Sequence, residues 1–75
     1  MSLERLFARV MNIPIGEIDG AARRRDFGAW NSVTHIELVT ALEKTFGVSF
    51  TIDDVIAMDS LSAVRERLRR KGIEA

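Results

Sequence analysis

Apolar residues at Leu3, Leu6, Phe7, Val10 and Met11 recur at i, i+3, i+4, i+7 and i+8, the spacing of one face of an α-helix. Ser2 stands where a helix cap belongs and Arg5 and Arg9 fall on the wet side. Pro14 ends the segment, because a residue preceding proline is driven out of helical geometry. From Ile13 to Trp30 the periodicity lapses. This stretch holds Gly16, Gly20 and Gly28, yet Ile13, Ile15, Ile18, Phe27 and Trp30 predict an ordered connection that lies on the helices. A second helix begins at Ser32 with Asn31 as its N-cap, carries Val33, Ile36, Val39, Leu42 and Phe46 as its inward stripe, and ends at Gly47 in the left-handed conformation. Leu38 and Ala41 widen its apolar surface, which predicts a central helix touched on more than one side. Thr51 caps a short third helix with Asp53 and Asp54 in its first turn, where the helix dipole favours them, and with Ile52, Val55 and Ile56 as its buried side. Ser60 caps the last helix, Leu61, Val64 and Leu68 face the core, and Gly72 closes it. The pattern predicts an all-α fold, a four-helix bundle with a short third helix and a long loop between the first two.

A chain of 75 residues allows one domain, residues 1–75, and a domain of this size buries only about 60% of its unfolded surface. The absence of cysteine removes disulfides and thiolate metal sites and makes a reducing compartment, the cytoplasm, the expected location. The segment Met1 to Arg5 lacks the basic start and apolar run of a signal peptide, and no apolar run is long enough to span a bilayer. Eleven basic and eleven acidic side chains balance, so no overall field draws the chain to nucleic acid or an anionic membrane. Their distribution is uneven: basic residues gather at Arg23, Arg24 and Arg25 and again at Arg65, Arg67, Arg69, Arg70 and Lys71, while the acids lie mainly between Glu37 and Asp59. Two differently charged faces follow.

Ser32 is the residue with the most to explain. A serine at a helix start is either a plain cap or a hydroxyl held at the positive end of the helix, where a phosphate is favoured. His35 lies one position off the apolar stripe with no second histidine and no cysteine to join it, so it is expected to be a partly exposed surface group, neither metal ligand nor base. No Ser-His-Asp arrangement and no metal site is indicated. Trp30, beside Phe27, is expected to be a packing anchor, and Met11 and Met58 core fillers, Met58 lying where it can line the space between helices two and three. The three loop arginines suit either a solvated turn or contact with an acidic partner or a phosphate.

Ser32-Val33, followed by Ile36-Glu37-Leu38-Val39 and by Ala41-Leu42-Glu43-Lys44-Thr45-Phe46-Gly47, resembles the acyl carrier protein family, and Thr51-Ile52-Asp53-Asp54-Val55 fits its third helix. The resemblance covers nearly the whole chain. It implies that Ser32 bears phosphopantetheine, donated by coenzyme A through a phosphopantetheinyl transferase, and that the arm's thiol carries an acyl or aminoacyl group as a thioester. It further implies a monomer without enzyme activity, read by a loading ligase and by downstream acyltransferases or synthases through Asn31, Val33, Ile36, Glu37, Thr40 and Glu43. The acyl group would shelter between helices two and three. Trp30 before the attachment tripeptide looks more like the stand-alone carriers of specialised pathways than the carrier of fatty acid synthesis. Two features depart from the family. Its usual Asp-Ser-Leu is here Asn31-Ser32-Val33, which removes a carboxylate while keeping a cap of equal strength, and Thr34, Lys44 and Thr45 occupy positions that are often acidic. The alternatives are an unmodified helical protein-interaction module and a nucleic-acid-binding domain using the basic last helix. Neither accounts for Ser32, and Glu66 interrupts the basic run.

Overall fold

A computed structural model of the chain describes residues 2–20 and 22–75. Met1, part of the segment read for a signal peptide, lies outside them. Four α-helices follow in order: α1 (Leu3–Met11), α2 (Ser32–Phe46), α3 (Ile52–Ala57) and α4 (Leu61–Arg70). Two short 3-10 turns, Ile15–Glu17 and Arg24–Asp26, punctuate the long connection between α1 and α2. Extended pairing among the described residues is confined to an isolated antiparallel bridge between Arg23 and Ser60.

Capping explains where each helix starts. Ser2, Thr51 and Ser60 each accept a hydrogen bond from the amide three residues on, and Asn31 accepts from Val33 and Thr34. Gly47 (φ 65°) ends α2 in the left-handed region and Gly72 (φ 84°) follows the end of α4, as their positions predict. The first helix ends earlier than the proline alone implies. Asn12, in the left-handed conformation at φ 57°, turns its amide back to the carbonyls of Ala8 and Arg9, so α1 stops before Pro14 can act on Ile13.

The core is built from Leu3, Leu6, Phe7 and Met11 of α1, Leu38 and Leu42 of α2, Met58, and Leu61, Val64 and Leu68 of α4, with Ala22 and Trp30 of the connection sealed against them. Phe7 is fully buried and meets Trp30 edge-on with ring centroids 4.8 Å apart, while Phe27 completes the group at 6.3 Å from Phe7. Trp30 is therefore the anchor expected of it. Ile13, Ile18 and Phe27 also pack on the core, whereas Ile15 is exposed.

The inward face of α2 differs from the predicted stripe. Its buried residues are His35, Leu38 and Leu42, flanked by half-buried Val39, Ala41 and Phe46, whereas Val33 is 67% and Ile36 64% exposed. The physical reason is precession. Steps of three residues, as in Val33, Ile36, Val39 and Leu42, each fall about 60° short of a full turn at 3.6 residues per turn, so this series walks around half the helix. His35 sits on the true inward side and is 4% exposed, which overturns the expectation of a surface histidine.

Helix α3 is corrected in the same way. Ile52 and Ile56 are 76% and 73% exposed, Val55 is half-buried, and the buried residue of the helix is Asp54. This six-residue helix is held to α4 by charge: Asp54 Oδ1 pairs with Arg67 at 3.0 Å and Oδ2 with Lys71 at 3.5 Å. Met58, at its C-terminal cap, supplies the apolar anchor the isoleucines were expected to give.

Candidate functional site

Ser32 is the first residue of the longest helix, and its side chain is exposed. Its hydroxyl is not needed for the helix start, because Asn31 performs that task. Asn31 Oδ1 accepts from the amides of Val33 at 2.9 Å and Thr34 at 3.1 Å, and Thr34 Oγ1 accepts in return from the amide of Asn31 at 2.9 Å. This reciprocal capping box gives Thr34 a purpose that the sequence alone did not show. The amide of Ser32 itself has no hydrogen-bond acceptor among the described residues, so an orphan N–H of the helix start lies beside the exposed hydroxyl.

The connection brings a cation to the same point. Arg24 donates its amide to the carbonyl of Asp59 at 2.8 Å, and Leu61 donates to the carbonyl of Ala22 at 2.9 Å, which pins the arginine turn to the start of α4. From there the Arg24 guanidinium donates from Nη2 to Ser32 Oγ at 3.3 Å. Arg23, Arg24, Arg25 and Asp59 line an open cleft of about 760 Å³ together with Trp30, Asn31 and Ser32.

The remaining residues expected at the site spread along α2. Asn31, Val33, Ile36, Glu37 and Thr40 are exposed. Glu43 is half-buried and its Oε2 accepts from the amide of Phe50 at 2.9 Å, so it also ties down the segment after α2. Ile52 and Ile56 of α3 add exposed apolar side chains that the sequence pattern had placed inside. His35 belongs to the scaffold behind this face: its ring lies between the Trp30 indole N–H, 2.9 Å from Nδ1, and the Val55 carbonyl, 2.8 Å from Nε2.

Charge separates the two basic clusters. Each cation of the last helix has a carboxylate partner: Arg65 pairs with Glu4, Arg67 and Lys71 with Asp54, and Arg69 and Arg70 with Glu66. Arg23, Arg24 and Arg25 pair with no carboxylate among the described residues. Among the described residues, no cluster of histidine and acidic side chains is arranged to hold a metal ion, and no helix is long and apolar enough to cross a membrane.

The family model described as the phosphopantetheine attachment site matches residues 2–68. No curated protein matches the chain. The family is defined by a covalently attached phosphopantetheine group, and its domains are carriers rather than catalysts. Because the match runs from the cap of α1 into the last turns of α4, through the exposed serine and the helix that presents it, the chain belongs to this phosphopantetheine attachment site family.

Proposed function

We propose that Ser32 is the attachment point of phosphopantetheine and that the protein displays an acyl or aminoacyl group to successive enzymes. One observation carries this reading: the Ser32 hydroxyl is exposed at the head of α2, while Asn31 and Thr34 do the capping that would otherwise occupy it. The surroundings fit a phosphodiester. The open amide of Ser32, the positive end of a 15-residue helix and the Arg24 guanidinium all favour negative charge at that oxygen. When bound, the group supplies a long arm with a terminal thiol that carries its cargo as a thioester. The protein's own part is to hold the arm's root on a rigid helix and to present a surface for its partners. A free thiol suits the reducing cytoplasm.

The partners are a phosphopantetheinyl transferase, a loading ligase and downstream acyltransferases or synthases. Their reading surface is the outer face of α2, with Asn31, Val33, Ile36, Glu37, Thr40 and the exposed edge of Glu43, extended by Ile52 and Ile56 of α3. Exposed apolar side chains ringed by polar ones are the composition of a contact surface. Nucleic acid is disfavoured as a partner, since the cations of α4 are already committed to Glu4, Asp54 and Glu66.

Incubation with coenzyme A and a broad-specificity phosphopantetheinyl transferase is expected to add the mass of one phosphopantetheine, and Ser32→Ala to stay unmodified with an unchanged circular dichroism spectrum. Uptake of the arm by that variant, or failure of the parent with several transferases, rejects the assignment.

A further inference from the structure

We propose that the Arg23–Arg25 turn is an anion clamp for the phosphodiester on Ser32, with Arg24 as the residue that grips it. The proposal rests on Ser32 as the attachment point. Four observations support it. The Arg24 guanidinium already stands at hydrogen-bond distance, 3.3 Å, from the oxygen that would become the ester oxygen. A phosphorus bonded to that oxygen brings anionic oxygens to a planar donor group suited to binding two of them at once. The three arginines pair with no carboxylate among the described residues, in contrast to the fully paired cations of α4. Asp59 is the one carboxylate among the residues lining the cleft, so its wall is net positive. Finally, Asn31 also lines the cleft. An aspartate there would add a second negative charge to the cleft, next in sequence to the phosphate-bearing serine, whereas the amide caps α2 without doing so.

The turn is placed for this task by backbone contacts that do not involve the guanidiniums. The Arg24 amide is held by Asp59 and the Ala22 carbonyl by Leu61, so the Arg24 side chain can change without releasing the turn. The clamp draws the root of the arm toward the Arg23–Ser60 side of Ser32. Its grip is electrostatic at an exposed site and therefore weakens with salt.

Parent, Arg24→Gln, Arg24→Lys and Asn31→Asp are loaded from coenzyme A, single modification is verified by intact mass, and the phosphorus resonance of each loaded protein is recorded at low salt and at about 1 M salt, where screening acts within about 3 Å. At low salt the parent resonance is expected to be shifted and broadened relative to Arg24→Gln, with Arg24→Lys and Asn31→Asp in between, and high salt is expected to bring all four together. Identical shifts and linewidths for parent and Arg24→Gln at both salts overturn the clamp and leave the attachment site intact. If no protein takes up the arm, the attachment assignment falls and the clamp falls with it. Should Arg24→Gln fail to fold, Asn31→Asp and the salt response of the parent decide: a parent resonance indifferent to both overturns the proposal.

Discussion

His35 holds three parts of the molecule at one point. The Trp30 indole can only donate and the Val55 carbonyl can only accept, so Nδ1 accepts, Nε2 donates, and the ring is the neutral tautomer with its proton on Nε2. The Val55 carbonyl belongs to the end of a short helix, where backbone acceptors lack partners within the helix, and His35 fills that need from α2. His35→Phe keeps the bulk of the ring but strands both groups in a buried place. Each stranded group costs about 1–3 kcal/mol, so the variant is expected to melt well below the parent, with altered Trp30 fluorescence. A melt matching the parent would show that solvent satisfies both groups and that the histidine is dispensable. Ser32 presents the opposite case: its hydroxyl is left out of the cap because Asn31 and Thr34 do the capping, and it accepts instead from the Arg24 guanidinium.

At the scale of elements, α3 is too short to stand by itself, since isolated helices below about 12–15 residues are marginal in water. Asp54 fastens it. The carboxylate accepts from the Thr51 amide at 3.0 Å and reaches Arg67 and Lys71 on and beside α4. The hydrogen bond from the Thr51 amide is the main reason that its pKa falls to about 2. Burial works in the other direction, and the Thr51 hydroxyl, Lys71 and Arg67 add to the lowering. For Glu4, burial raises the pKa, but the hydrogen bond from its own amide and the Arg65 guanidinium outweigh it, and the net shift is downward. A carboxylate whose folded pKa lies below its unfolded value, about 3.9 for aspartate and about 4.3 for glutamate, stabilises the fold above that value and loses the contribution as the pH falls through the folded pKa. Parent stability is therefore expected to drop between about pH 4 and pH 2. Urea melts across that window should show a shallower acid limb for Asp54→Asn, which starts from a lower stability at neutral pH. Parallel limbs would mean that other groups drive acid unfolding.

On the scale of the whole molecule, the Cα radius of gyration of 11.1 Å meets the value of about 11 Å expected for a chain of this length, although 20 residues, Asn12 to Asn31, lie between α1 and α2. The connection adds little to the size because it is anchored along its length. Ile18 and Phe27 lie against the core and Ala22 and Trp30 are within it, while the Ser62 hydroxyl donates to the Gly20 carbonyl at 2.9 Å across 42 positions of sequence. These anchors carry Arg24 to Ser32. Ser62→Ala removes one such contact at an exposed place and is expected to cost about 1 kcal/mol or less in global stability. Hydrogen exchange at the Arg24 and Leu61 amides, which bridge the turn to α4, is expected to quicken in this variant. Unchanged exchange at both would show that the backbone bridge holds the turn unaided.

Local rules were enough for part of this protein. The caps Ser2, Asn31, Thr51 and Ser60, the left-handed Gly47 and the core positions of α1 and α4 are set by side chains acting within a turn or two of themselves, and they are legible in the sequence. So was the place of Ser32 at the head of α2, because a helix start is a local event. Which side of α2 faces inward was not legible, because Val33 and Ile36 are as apolar as the residues that are buried, and only the docking of α1, Trp30 and α3 selects the side that carries His35. The same holds for Ile52 and Ile56, left outside by a short helix that Asp54 binds to α4. The meeting of Arg24 with Ser32, eight residues apart, was equally hidden. Their spacing in sequence says nothing of it, and it exists because a backbone bridge to the start of α4 holds the arginine turn against the head of α2.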